Sequence, residues 1–295
     1  MIRRKYAILV SFALAVLAPL STAGTTRAAD KDQERPLSMV VMDPLAAPLS
    51  CPCVEGYAQR KYEKLAEYLE QSLERDVSLT FAESLAKALD GKANGHADLI
   101  IGKYSVVRAD ARKAAITTVP LASLTGKDGS TTQTGLFVVA ADDPAQKIGD
   151  LAGYRIFFGP ADCDEKYQAA LDRLRAEDVP IPEKTETSTT CSDGACKVLE
   201  LGSSVRAAAV ISSYAQPLLE GCGTVEKGAL RSVGQTEPVP FITAFASTAV
   251  PAGERKRIAD ALLLVGTKPE LSAAMETLIG FVPPALPRDE PVKKK

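Results

Sequence analysis

The chain has 295 residues, 46% hydrophobic and 24% charged, which is enough for a substantial core in one or two domains. Its 35 basic and 37 acidic residues leave a formal charge of −2, and no basic stripe interleaved with aromatics occurs, which argues against a nucleic-acid binder. The one histidine, His96, stands in a glycine turn with no nucleophile elbow nearby, so Ser–His–Asp and Cys–His catalysis lack their base.

Arg3, Arg4 and Lys5 precede an apolar run over 6–20, and small and polar residues follow over 21–29. This is the order of a secretory signal, and the run is shorter than the roughly 20 residues of a membrane span. Residues 1–29 are therefore predicted to be a signal peptide, with Ala29 as a cut site and the periplasm as the destination of a soluble mature chain. Cleavage there removes Arg3, Arg4, Lys5 and Arg27, taking the basic count from 35 to 31 against 37 acids, a net charge of −6. Export makes disulfides the expected state of Cys51, Cys53, Cys163, Cys191, Cys196 and Cys222. Bridges Cys191–Cys196 and Cys163–Cys191 are both compatible with the spacing, and sequence does not choose among the pairings.

Leu37–Met42 reads as a buried strand stopped by Asp43-Pro44. Leu65, Tyr68, Leu69 and Leu73 fall at helical spacing and predict a helix over 55–73. Val77–Phe81 alternates as a strand, Ser84 caps a helix over 85–92, and 98–101 is a third strand. Strands are predicted over 134–141, Arg155–Phe158, 185–189, 207–211 and 241–248, with helices over 166–177, 196–201 and 253–264. Short apolar strands alternating with helices predict an α/β fold with mostly parallel sheets. The prolines and lysines of 288–295 read as a disordered tail. The stretch 95–105 echoes 202–214: each runs from a turn glycine through an apolar strand to a Ser/Tyr pair, as two similar lobes would.

The segment 148–158, Ile-Gly-Asp-Leu-Ala-Gly-Tyr-Arg-Ile-Phe-Phe, resembles the opening of the second lobe in phosphonate-type periplasmic binding proteins of ABC transporters. The order of landmarks around it, from the first strand to Gly280-Phe-Val-Pro283, is similar over about 37–284. The resemblance implies a two-lobed periplasmic-binding-protein fold, each lobe a mixed, mostly parallel sheet flanked by helices and joined by hinge strands. Lobe one is expected at 37–134 with a return over 241–287, and lobe two at 135–240. It implies a monomeric solute receptor without cofactor or catalytic activity, with a small-molecule or ionic ligand and a membrane permease as partners.

In that family the loop after the Arg155–Phe158 strand offers hydroxyls and helix N-terminal amides to an oxyanion. Here the loop is Pro160-Ala-Asp-Cys-Asp-Glu165. Its acids cap the amides an anion would use and repel phosphate, so the ligand is not expected to be a phosphonate. Expected ligand-binding residues are Asp43, Tyr57, Tyr104, Ser105, Asp162, Asp164, Ser212 and Tyr214, all placed beyond strand ends or before helices. Two alternatives stay open. An accessory protein of a periplasmic redox or electron-transfer system would use the cleft cysteines. A metal-binding protein would draw on Cys51, Cys53, Cys163 and Cys191, although their spacing matches no established metal motif.

Overall fold

The computed structural model describes residues 35–50, 59–91, 93 and 95–284. The predicted signal peptide, Cys51, Cys53, Tyr57 and the tail lie outside them.

The runs with continuous burial form the centres of two sheets. β1 (Leu37–Met42) is buried at all six positions, as a strand covered on both faces must be, and it pairs in parallel with β2 (Val77–Phe81) and β3 (Leu99–Lys103). β12 (Ile242–Ser247) returns antiparallel beside β3, followed by β4 (Thr118–Leu124) and β13 (Phe281–Val282). The second sheet runs in the order β10 (Leu230–Gln235), β6 (Gly135–Ala140), β9 (Ala207–Ser212), β7 (Arg155–Phe158) and β8 (Glu186–Thr187). Between the sheets β5 (Thr132–Gln133) leads out and β11 (Val239–Pro240) leads back, paired antiparallel as hinge strands. Both sheets are mixed. The parallel pairs lie on one side of β3 and of β9, and the returning strands add antiparallel pairs on the other.

β3 and β9 occupy equivalent places. Each lies between a parallel strand and an antiparallel one, and each ends at the hollow between the sheets. The echo between 95–105 and 202–214 thus has a topological counterpart.

Helices cover the sheets where their apolar faces match. α1 (Tyr62–Leu73) buries Tyr62, Leu65, Ala66, Leu69 and Leu73 against the first sheet, and Glu74 ends it in the left-handed conformation at φ 53°. α2 (Leu85–Asp90) starts on Ser84, whose side chain accepts from the Lys87 amide. α3 (Tyr104–Lys113) follows β3 without a loop. α4 (Gln168–Ala176) and α5 (Cys191–Leu201) flank the second sheet, and α5 starts on a reciprocal Thr190–Asp193 cap. α6 (Ala215–Gly221) follows β9, while α7 (Ala252–Leu263) and α8 (Pro269–Ala274) complete the first lobe. Both sheets with their helices form one compact unit, and among the described residues no helix is long and apolar enough to cross a membrane.

The two bridges named from the spacing, Cys191–Cys196 and Cys163–Cys191, require correction, while Cys51 and Cys53 lie outside the described residues. Cys163, Cys191 and Cys196 are free thiols, and no bridge joins any two described cysteines. Cys191 and Cys196 sit five positions apart on α5, about 140° apart around a helix that turns roughly 100° per residue, so their side chains diverge.

Candidate functional site

The ends of β3, β7 and β9 meet in the hollow between the lobes. Lys103, the last residue of β3, points its side chain across to the second lobe. There a 3-10 turn, Asp164–Lys166, presents Glu165, and Lys103 Nζ lies 2.5 Å from Glu165 Oε1. Both side chains are buried, at 8% and 3% exposure. Ser212, the last residue of β9, donates from Oγ to the same carboxylate oxygen at 2.8 Å and accepts from Lys103 at 3.2 Å. The Cys163 thiol lies 3.2 and 3.3 Å from the Glu165 oxygens and 3.4 Å from the Lys103 ammonium. The rings of Tyr214 and Phe241 lie 5.4 and 5.9 Å from that ammonium. Behind Ser212, its backbone amide meets Cys191 Sγ at 3.4 Å.

The turn carrying Glu165 is held from below by a missing side chain. A Cβ on Gly135 of β6 would stand 2.0 Å from the Glu165 carbonyl oxygen, so only glycine lets the turn sit that low. From the first lobe, Ser105 Oγ accepts the Asp164 amide at 3.1 Å.

The electrostatics follow from this enclosure. Burial pushes the Glu165 carboxyl up, but Lys103, its hydrogen bond, Lys166 and Ser212 outweigh that and hold it at about 2. Burial works against the Lys103 charge, yet Glu165 keeps its pKa well above the usual lysine range. Burial raises the Cys163 thiol to about 12, so it stays protonated. Burial raises the Tyr214 phenol as well. The centre of the cleft is therefore internally paired, the Lys103 ammonium and Glu165 carboxylate bridged by one hydroxyl, with the Lys166 ammonium as a second positive charge close to the carboxylate.

The expected residues separate into three places. Asp43 is fully buried, 2.7 Å from an Arg60 nitrogen, accepting from the Tyr62 hydroxyl at 2.6 Å and from the Leu45 amide at 2.9 Å; it is an internal ion-pair partner rather than a cleft-facing acid. Tyr104, Ser105, Asp162 and Asp164 line a separate hollow of about 460 Å³ between α3 and the 160–164 loop. Within it Asp162 pairs with Lys113 at 3.3 Å, and the Tyr104 hydroxyl accepts from Arg108 at 3.2 Å. Burial pushes the Asp164 carboxyl up. Ser212 and Tyr214 belong to the Lys103–Glu165 centre. Tyr57 lies outside the described residues, as do Cys51 and Cys53. Among the described residues no group of three or more His, Cys, Asp or Glu is placed to hold a metal ion.

Lys103, Glu165 and Arg60 were not among the expected residues. A lone lysine directly after the apolar run Leu99–Gly102, facing an acidic loop beyond another strand, was the available signal.

A family model for the ABC transporter, phosphonate, periplasmic substrate-binding protein matches residues 56–289, most of the chain. The chain belongs to this family. No match was found among curated protein sequences. Among solved structures, XAC2383 from Xanthomonas citri bound to ATP superposes with a TM-score of 0.62 at 18% identity, covering 84% of this chain and 90% of that one. A binding protein component of an ABC phosphonate transporter, PA3383 from Pseudomonas aeruginosa, gives 0.60 at 14% identity, covering 84% and 81%. PhnD1 from Prochlorococcus marinus in complex with methylphosphonate gives 0.60 at 13% identity, covering 84% and 92%. At these identities the structures establish a shared two-lobed fold.

Proposed function

We propose that the protein is exported, with its leader removed after Ala29, and acts in the periplasm as a solute receptor for an ABC importer that does not take phosphonates. One observation carries this reading: Glu165 puts the chain's own anion on Lys103 and Ser212, between the two lobes. An entering phosphonate must either displace Glu165, leaving a buried carboxylate without its cation, or share the site with it. Two like charges ~4 Å apart at an effective dielectric of about 20 repel by roughly 4 kcal/mol. That is about a thousandfold in affinity, enough to exclude the ligand class.

The accessory-protein alternative draws on the cleft cysteines. Against it, the Cys163 thiol at the centre of the cleft is buried and protonated, so it does not itself supply a thiolate to exchange. The metal alternative lacks a ligand cluster among the described residues.

Isothermal titration with methylphosphonate tests the proposal. The unaltered protein is expected to show no binding, whereas Glu165→Ala, which empties the carboxylate's place but keeps Lys103 and Ser212, is expected to gain it. Micromolar methylphosphonate binding by the unaltered protein would overturn the reading.

A further inference from the structure

Beside the Lys103–Glu165 centre lies a hollow of about 300 Å³, lined from both lobes. Leu45 of the first lobe and Tyr214, Leu218 and Leu219 of the second give it apolar walls. Its charged wall is Lys166, which ends the turn that carries Glu165. The stem of Lys166 lies flat on Gly159, directly after β7: a Cβ added to Gly159 would stand 2.5 Å from Lys166 Cβ and 2.7 Å from its Cε. Only glycine leaves room for the lysine to lie there. Lys166 is 5% exposed, and its ammonium has no acceptor or ion-pair partner among the described residues. It is nevertheless not sealed off: Nζ keeps accessible surface, and the hollow is the space that the residue lines. The neighbouring Glu165 carboxylate is already taken up by Lys103, Ser212 and the Cys163 thiol. Buried charges are ordinarily paired, so an unpaired ammonium at the wall of a small hollow marks a place for an anion.

The start of α5 lies on the same hollow. Thr190 caps only the Asp193 amide, which leaves the amides of Cys191 and Ser192 without an intrahelical partner. Both residues line the hollow, so an 11-residue helix brings its positive end there. Asp193, the acid of that turn, is exposed and accepts from the Thr190 amide. Among the described residues no carboxylate lines the hollow, whereas Lys103 and Lys166 both do. With Glu165 counted behind Lys103, two ammoniums face one carboxylate. One further negative charge makes the neighbourhood neutral. A second would go uncompensated and would meet the repulsion from Glu165 that weighs against phosphonates.

We propose that this hollow takes a small monocarboxylate with a branched apolar tail, its carboxylate on Lys166 and the first turn of α5, its tail against Leu45, Tyr214, Leu218 and Leu219. The assignment rests on the solute-receptor reading and names the solute class. The Lys103–Glu165 pair stays intact, because a different cation neutralises the incoming acid. Such a ligand touches walls from both lobes, so it favours the closed form over the open one.

The test is calorimetric titration with a matched pair, 4-methylpentanoate and 4-methylpentanamide, which differ in a carboxylate against a neutral amide, with methylphosphonate as a third probe. Saturable binding of the acid to the unaltered protein, roughly tenfold or more tighter than the amide, is the expected result. Lys166→Met keeps an apolar stem on Gly159 but removes the ammonium, and is expected to weaken acid binding by about tenfold while leaving the amide unchanged. Ser192→Asp sets a carboxylate in the first turn of α5, where helices favour acids, and is expected to abolish acid binding. It carries the test if Lys166→Met fails to fold. Acid binding unchanged in either folded variant, amide binding as tight as the acid, or no acid binding at about 10 mM overturns the proposal. Methylphosphonate binding by the unaltered protein overturns the receptor reading and this one with it. Absence of both acid and methylphosphonate binding overturns this one alone.

Discussion

Removing one member of the Lys103–Glu165 pair should show whether it acts as a latch between the lobes or only as a core contact. In Glu165→Gln the side chain keeps its shape and can still accept from Ser212, but the buried ammonium loses its counter-ion. Breaking a buried pair this way typically costs about 3–5 kcal/mol. If both lobes were locked together regardless, a chain of this size would lose about 2–4 °C of melting temperature per kcal/mol, roughly 6–20 °C in all. The pair joins the end of β3 in one lobe to the Asp164–Lys166 turn of the other, however, so the molecule has an escape. Opening the hinge lets water reach Lys103, and the loss cannot exceed the free energy of that opening. The expected result is a melting temperature lowered by less than the full amount, together with a larger radius of gyration in small-angle scattering. Lys103→Met should behave alike. The double variant should recover much of the loss, because no unpaired charge remains.

The pH dependence provides the same test without mutation. Glu165 sits at about 2, below the ordinary range near 4.3. A carboxyl depressed on folding is protonated more readily in the unfolded chain, so its contribution is complete above the unfolded value and lost as pH falls towards about 2. Lys103 is raised, so its share is complete at neutral pH and is lost only on the alkaline side of the ordinary lysine range. The unaltered protein should therefore lose stability more steeply than Glu165→Gln as pH falls from about 4.5 to 2.5. Single variants each costing under about 1 kcal/mol, additive in the double and unchanged in scattering, would refute the latch.

Alkylation with iodoacetamide at pH 8, read by peptide mass mapping, should leave Cys163 unmodified in the native protein and label it only after denaturation. Native labelling of Cys163 as fast as of Cys196 would contradict its burial and raised thiol pKa. Gly135→Ala places a methyl against the Glu165 carbonyl and should destabilise the protein by about 1–3 kcal/mol in chemical denaturation, through displacement of the turn. An unchanged midpoint would show that the turn does not rest on β6.

Much of the frame was legible from residue pattern. Leu37–Met42, Val77–Phe81 and Arg155–Phe158 fall where continuous or alternating apolarity puts them, because glycine, proline or an acid marks their ends. The stretch 104–124 went unread for physical reasons. α3 starts on Tyr104 with no side-chain cap, and its inward face includes Asp110, whose carboxylate accepts the Leu85 amide. β4 carries Pro120 inside the sheet, tolerated because its pairing with β12 shifts register at that point. At the site, sequence drew attention to the acidic loop and to Asp162 and Asp164, but not to Glu165. A 3-10 turn rotates about 120° per residue, so neighbouring acids face different ways. Asp164 turns towards the hollow on α3, and Glu165 turns into the cleft. Its partner Lys103 lies 62 positions away, and no local pattern joins them.

A cleft that pairs its own charges changes what ligand binding has to do. In a receptor whose open form dominates, the ligand supplies the contacts that close the lobes. Here closure already satisfies Lys103, Glu165 and Ser212, so a solute must enter from a minor open population, and its apparent affinity falls by that fraction. If the pair favours closure by about 2.7 kcal/mol, roughly one molecule in a hundred is open, and apparent binding is about a hundredfold weaker than intrinsic binding. Shape alone would then tell a permease little about occupancy, since closed molecules exist with and without cargo.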